Sequence, residues 1–187
     1  MLRACRRLAF VILILSAGCA EPPSKEMNQA QGAIDAARAA GAERFATVEL
    51  AAATDALKRS EDAVAAGDYR QALSHAIDSR ERAQNAAKFA VEGRADARGQ
   101  SERAIAEVAT LLSQAQAQLK NLASRPLRGP RATVASVEQL LQEARAALAR
   151  EDYAAVATTL DGAAVQLRAA LAQIDAAVGP ASSRRKR

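Results

Sequence analysis

The chain has no tryptophan, two tyrosines, three phenylalanines and one histidine among 187 residues. So small an aromatic share leaves no platform on which nucleobases could stack, and a core without large rings must be thin. A lone His75 means that a zinc site would need an all-carboxylate ligand set, so His75 reads as an ordinary surface histidine on a helix flank. Glycine-rich phosphate loops, a Gly-x-Ser-x-Gly elbow and a nucleophile beside a recognisable base are all missing. The expectation is a protein without enzymatic activity, metal or cofactor. The five prolines fall in three places, leaving long stretches free of this helix breaker.

Alanine recurs in every segment. Helices faced with alanine approach at the short end of the roughly 8–10 Å range of interaxial distances, but each alanine removes little apolar surface at about 25 cal/mol per Å². Stability should therefore depend on a modest set of Leu, Ile, Val, Phe and Tyr side chains.

The formal charge is +5, yet it sits at the two ends. A basic stretch with Arg3, Arg6 and Arg7 precedes the apolar run Leu8–Leu15, and small residues follow. This is the order of a signal peptide, and the run is shorter than the about 20 apolar residues needed to span a bilayer. The junction Leu15-Ser16-Ala17-Gly18-Cys19 resembles the lipobox of bacterial lipoproteins, whose cysteine is acylated before cleavage. The resemblance implies that residues 1–18 are removed and that Cys19 carries the lipid, with 19–24 as a tether. Two or more acyl chains hold a protein firmly at a membrane, at about 0.8 kcal/mol per buried methylene. An ordinary secretory peptide cut after Ala20 is the alternative. Ala20, where an Asp would argue for inner-membrane retention, favours the periplasmic face of the outer membrane, by resemblance to Gram-negative sorting. Cys5 leaves with the leader, so no intramolecular disulfide is expected.

Once Arg3, Arg6 and Arg7 are taken from the 26 basic residues, 23 remain against 21 acidic ones. Four of these are the terminal Arg184, Arg185, Lys186 and Arg187, within a basic tail, 180–187, expected to be disordered. Without the tail, the remainder is slightly acidic, so no basic face is implied on the fold. The tail admits three readings: solubility alone, contact with anionic lipid headgroups or acidic wall peptides at roughly 1 kcal/mol per charge, and nucleic acid. Export and the shortage of stacking aromatics argue against the last, and nucleic acid is not expected as a partner.

Between these ends the apolar period is helical throughout. A first helix is predicted from a Ser24 cap through Ala30, Ile34 and Ala37 to a stop at Gly41, and a second from Thr47 through Leu50, Ala53, Leu57 and Val64. Gly67 can take the left-handed conformation and Asp68 can cap the third helix, which carries Tyr69, Ala72, Leu73, Ala76, Ile77, Ala83, Ala87 and Ala90. Gly93 and Gly99 should break or weaken it. A fourth helix follows through Ile105, Val108, Leu112, Ala115, Leu119 and Leu122, a coiled-coil-like seam. Residues 124–131, with two prolines and a glycine, read as a linker dividing an N-terminal helical unit, 25–123, from a C-terminal hairpin, 132–179. That hairpin comprises a fifth helix on Val134, Val137, Leu141, Ala144 and Leu148. After the turn at Glu151-Asp152 a sixth runs from Tyr153 to Val178. The expected fold is all-α, an antiparallel helical bundle or tandem helical hairpins with tetratricopeptide-like packing. Asp68-Tyr69 laid on Asp152-Tyr153, 84 residues apart, puts Leu57 on Leu141 and Val64 on Leu148. This echo reads either as duplication or as a repeated hairpin design.

The residues Ala30, Ile34-Asp35-Ala36-Ala37, Gly41-Ala42, Leu50, Ala53, Leu57 and Ala66-Gly67-Asp68-Tyr69, with Ala72, Ala76 and Ala83, give residues 23–90 a further likeness. The segment resembles the domain-of-unknown-function family numbered 4398, short helical modules of proteobacterial lipoproteins. Some members carry an OmpA-like peptidoglycan-binding domain further along; here the corresponding region is more helix. The resemblance supplies no catalytic residues.

The acidic pairs Glu61-Asp62 and Glu151-Asp152 sit beside turns, where caps and solvated charges belong, and sequence neighbours on a helix diverge by about 100°. Tyr69 and Tyr153 read as wedges closing each hairpin. The leading expectation is a membrane-anchored periplasmic lipoprotein acting as a structural or adaptor module for an envelope protein partner. One alternative is binding of peptidoglycan or another anionic envelope polymer through Arg125, Arg128, Arg131 and the tail; a second is a chaperone-like holder with an alanine-lined groove.

Overall fold

The computed structural model describes residues 21–122 and 126–178. Residues 1–18, expected as a leader, Cys19 and the tail residues Arg184, Arg185, Lys186 and Arg187 lie outside them, as does Arg125. The described chain is all-α. Its helices are α1 (Ser24–Ala39), α2 (Ala42–Phe45), α3 (Thr47–Ala65), α4 (Tyr69–Asn121), α5 (Arg128–Ala149), α6 (Tyr153–Leu160) and α7 (Ala163–Val178). They form two compact units that part between Gly93 and Arg94, within α4. Residues 126–131, from the stretch expected as the dividing linker, belong to the second unit.

Several helix ends follow from the residues predicted for them. Gly41 stops α1 with φ 93°, and Gly67 follows α3 with φ 76°. Past α3 the Asp68 N–H donates to the Ala63 carbonyl at 2.9 Å and the Gly67 N–H to that of Val64 at 3.0 Å, the paired bonds of a Schellman turn. The Asp68 carboxylate then accepts from the Gln71 N–H at 3.0 Å and caps α4. Ser24 differs from expectation: it is already the first helical residue, and its hydroxyl donates to the Pro22 carbonyl instead of capping.

The predicted third and fourth helices are one. Gly93 and Gly99 lie inside the 53-residue α4; each costs only about 0.5–1 kcal/mol relative to alanine in a helix, too little to outweigh the buried stripe on either side. Gly93 has a packing reason as well: a Cβ there would lie 3.1 Å from the Phe45 Cβ and 3.3 Å from its carbonyl oxygen. Leu73, expected in the core, is 38% exposed, because the buried stripe runs through Ala72 and Ala76 and position 73 is rotated by about 100° from its neighbour. The predicted sixth helix is interrupted between α6 and α7 at Asp161-Gly162, where Gly162 takes φ 72°. Likewise α5 begins at Arg128, so Gly129 and Pro130 fall in its first turn, where a missing proline N–H costs no intrahelical bond.

In the first unit, Ala30, Ile34 and Ala37 of α1 pack with Leu50, Ala53 and Leu57 of α3 and Ala83, Ala86 and Ala90 of α4. Two buried serines tie α3 to α4 in both directions. The Ser60 hydroxyl donates to the Ala72 carbonyl at 2.7 Å, and the Ser79 hydroxyl to that of Ala53 at 2.8 Å. In the second unit, Val108, Leu112, Ala115 and Leu119 of α4 meet Val134, Val137, Leu141 and Ala144 of α5 and Val156, Leu160, Leu167 and Ile174 of α6 and α7.

Each unit holds one hairpin, and the two share a lattice. In the first, the buried positions besides Ala56, whose counterpart Leu140 is half-buried, are Leu50, Ala53, Leu57 and Ser60, then Ala72, Ala76, Ser79, Ala83, Ala86 and Ala90. Moved on by the spacing of Asp68 and Asp152, they become Val134, Val137, Leu141 and Ala144, then Val156, Leu160, Ala163, Leu167, Ala170 and Ile174, every one of them buried. The turns match as well. Glu151 stands where Gly67 does and has φ 57°, the single non-glycine residue with positive φ among those described. Asp152 N–H bonds the Ala147 carbonyl and Glu151 N–H that of Leu148, both at 3.0 Å, while the Asp152 carboxylate accepts from Ala155 N–H at 3.2 Å.

Candidate functional site

The buried polar residues among those described are Ser60, Ser79 and Ser101, and each hydroxyl donates to a backbone carbonyl. They are accounted for by packing. The charged side chains lie at the surface, where many pair with neighbours: Arg82 with Asp78 at 2.8 Å, Arg98 with Glu102 at 2.8 Å, Arg38 with Asp35 at 3.1 Å, and Arg168 with Glu107. Arg98 has its pKa raised further by the hydrogen bond to Glu102 and then by that carboxylate's charge. Such exposed pairs, screened by water, add little to stability.

His75 is half-buried on α4, while Glu61 and Asp62 are exposed near the end of α3. Among the described residues no group of three or more His, Cys, Asp or Glu is placed to hold a metal ion. None of the described helices is long and apolar enough to cross a membrane. Tyr153 is 7% exposed and Tyr69 half-buried, each at the start of its hairpin's second helix.

Two surface features remain once packing is accounted for. The first is a scatter of exposed apolar side chains, four of them in the first unit: Val48, Leu73, Phe89 and Val91, with Val165 in the second. Phe45 is half-buried, and the Arg44 guanidinium lies 5.3 Å from the centre of its ring.

The second is a groove of about 360 Å³ between α4 and α5, inside the second unit. Leu119, Val134 and Ala135 give it an apolar lining, Lys120 and Arg131 supply cations, and Gln116 and Glu138 complete it. The register of α5 explains the lining: positions 131, 135 and 138 recur at the helical i, i+4, i+7 spacing, beside the buried Val134 and Val137. Of the cations suspected from sequence, Arg128 and Arg131 are both exposed in the first turn of α5, and Arg131 also donates to the Leu122 carbonyl at 3.3 Å, closing the end of α4. The sequence reading missed Lys120, Ala135 and Glu138. Their i, i+4 neighbours were visible in the sequence, but which stripe of α4 faces which stripe of α5 depends on how the helices pair.

Compared with protein families, curated proteins and solved structures, the chain matches no family model, no curated protein and no solved structure.

Proposed function

We propose that the chain is a lipid-anchored envelope protein whose helical units serve as an adaptor, presenting surfaces to protein partners. The observation that carries this reading is the contrast between lattice and surface. Ten buried hairpin positions coincide between the units, whereas several exposed positions carry unrelated residues: Arg59 corresponds to Glu143, Glu61 to Arg145, Phe89 to Gln173 and Val91 to Asp175. A preserved scaffold with differing exposed residues is suited to holding different faces toward different neighbours, and the buried serine hydroxyls are spent on packing. The leader pattern, the lipobox-like junction at Cys19 and the likeness of residues 23–90 to the lipoprotein module family support a place at the membrane, with the outer membrane favoured by Ala20.

Mass measurement of the mature N-terminus from a membrane fraction tests the anchor. The expected species begins at Cys19 and carries acyl chains; an unmodified chain beginning at Glu21 would refute it. Cross-linking in intact cells followed by mass spectrometry tests the adaptor, with one or a few defined envelope proteins as the expected result. Salt-sensitive recovery on purified wall sacculi, lost with the tail residues Arg184–Arg187, would favour the polymer-binding reading instead.

A further inference from the structure

We infer that the groove between α4 and α5 is the docking site for an acidic peptide segment of a partner protein, one that carries apolar side chains between its carboxylates. This deepens the adaptor reading and rests on it. Three cations gather where α4 ends and α5 begins: Lys120, Arg128 and Arg131. All three are exposed, and no ion pair joins any of them to an acidic side chain among the described residues. Some of the protein's other cations have a carboxylate beside them, as at Arg38, Arg82, Arg98 and Arg168; what marks this region is that three cations without one lie close together, with Lys120 and Arg131 both lining the groove. The start of α5 adds the positive end of its helix dipole to the same region. An unneutralised cluster of this kind attracts a negatively charged partner and steers its approach.

The floor of the groove selects among anions. Leu119 and Val134 keep only 5% and 8% exposure, so the open apolar surface beside Lys120 and Arg131 is chiefly that of Ala135, which is exposed. A bare phosphate or a glycan would leave that surface wet, whereas a leucine-sized side chain entering it removes apolar area from water. Glu138, further along α5, disfavours a uniformly anionic polymer along the whole groove and leaves a position for a basic or neutral residue of the peptide.

The test uses the full chain and a fluorescein-labelled peptide of sequence Asp-Glu-Leu-Leu-Glu-Lys, followed by fluorescence anisotropy at low and moderate salt. Controls are a poly-glutamate of equal length and the same peptide with serine in place of leucine. Expected are saturable binding of the leucine peptide and at least about tenfold weaker binding of both controls, since an apolar anchor and flanking charges act together. The double variant Lys120→Glu, Arg131→Gln should weaken binding by about tenfold or more. Ala135→Glu, on the exposed face of α5, should do the same with an unchanged circular dichroism melt. Equal binding of poly-glutamate and the leucine peptide would overturn the proposal, as would indifference to Ala135→Glu. In-cell cross-linking separates the two levels of failure. Partners captured equally well by wild type and Ala135→Glu would leave the adaptor reading intact and remove this groove from it; no defined partner in either would remove both.

Discussion

Glu151 occupies a backbone conformation that suits glycine. With φ 57° it closes the Schellman turn between α5 and α6, and its counterpart between α3 and α4 is Gly67 at φ 76°. A side chain in the left-handed region costs roughly 1–2 kcal/mol, because its Cβ crowds the following carbonyl. Glycine removes that crowding but gains freedom in the unfolded chain, an opposing effect of about 0.4–1 kcal/mol. The net expectation for Glu151→Gly is stabilisation by about 0.5–1 kcal/mol, which moves the melting temperature upward by a few degrees for a chain of this length. Glu151 also lines a depression of about 310 Å³ with Arg98, Arg145 and Tyr153, so loss of its charge must be separated from relief of its backbone. Glu151→Ala does this: alanine loses the carboxylate and keeps the strain, and the gap between the alanine and glycine variants isolates the backbone. The reverse change, Gly67→Ala, should destabilise by about 1 kcal/mol. No neighbouring atom lies within 4 Å of its added Cβ, so the whole effect is conformational. Urea titration followed by circular dichroism, at constant m-value, reads all three variants. A glycine variant no more stable than the alanine variant would refute the reasoning.

Other positions give sharper contrasts between propensity and packing. Gly93→Ala should destabilise by about 1–2 kcal/mol in the same urea titration although alanine is the better helix former, because the added Cβ meets the backbone and Cβ of Phe45 at 3.1–3.8 Å; a stabilised variant would mean that α2 can simply move away. Ser60→Ala and Ser79→Ala should each cost about 0.5–1.5 kcal/mol through the lost bonds to Ala72 and Ala53. The small cost follows from Ala144 and Ala163, which fill the corresponding positions of the second hairpin. Ile34→Ala should cost about 2–5 kcal/mol, since Ile34 is the largest fully buried side chain of the first unit, at 1% exposure.

Most of the fold was legible because the apolar spacing and the capping residues agree. Thr47, Gly67, Asp68 and Tyr153 mark helix ends where the residue types place them. The misread features share one cause: a local signal outweighed by, or dependent on, tertiary packing. Gly93 and Gly99 carry a real helix penalty, yet it is smaller than what α4 gains by burying Ala83, Ala86 and Ala90 before them and Val108 and Leu112 after. Gly93 is required by Phe45, a residue 48 positions earlier that no local reading connects to it. Asp161-Gly162 carries an ordinary turn signal, hidden by the unbroken apolar period from Val156 through Leu160 to Leu167. The groove escaped for a related reason: its two walls are each visible as a stripe, but their pairing is a property of the hairpin register.

The shared lattice also predicts unequal stability. At five of the ten positions the second hairpin has the larger residue: Val137 for Ala53, Val156 for Ala72, Leu160 for Ala76, Leu167 for Ala83 and Ile174 for Ala90. The reverse holds at three, Val134 for Leu50 and, by one hydroxyl each, Ala144 for Ser60 and Ala163 for Ser79. Each extra buried methylene is worth about 0.8 kcal/mol, so the transfer advantage of the second hairpin runs to several kcal/mol even after the more compact denatured chain is allowed for. Small residues let α3 and α4 approach closely, as the serine hydroxyls reaching across to backbone carbonyls show, and the resulting dispersion recovers part of the difference. Recovery should be incomplete, because alanine contacts involve few atoms. Native-state amide exchange reads the outcome directly: the slowest amides should lie in α5 and α7, and α1 and α3 should open at lower free energy. If the slowest exchange is found in α3, close backbone packing outweighs buried apolar volume here.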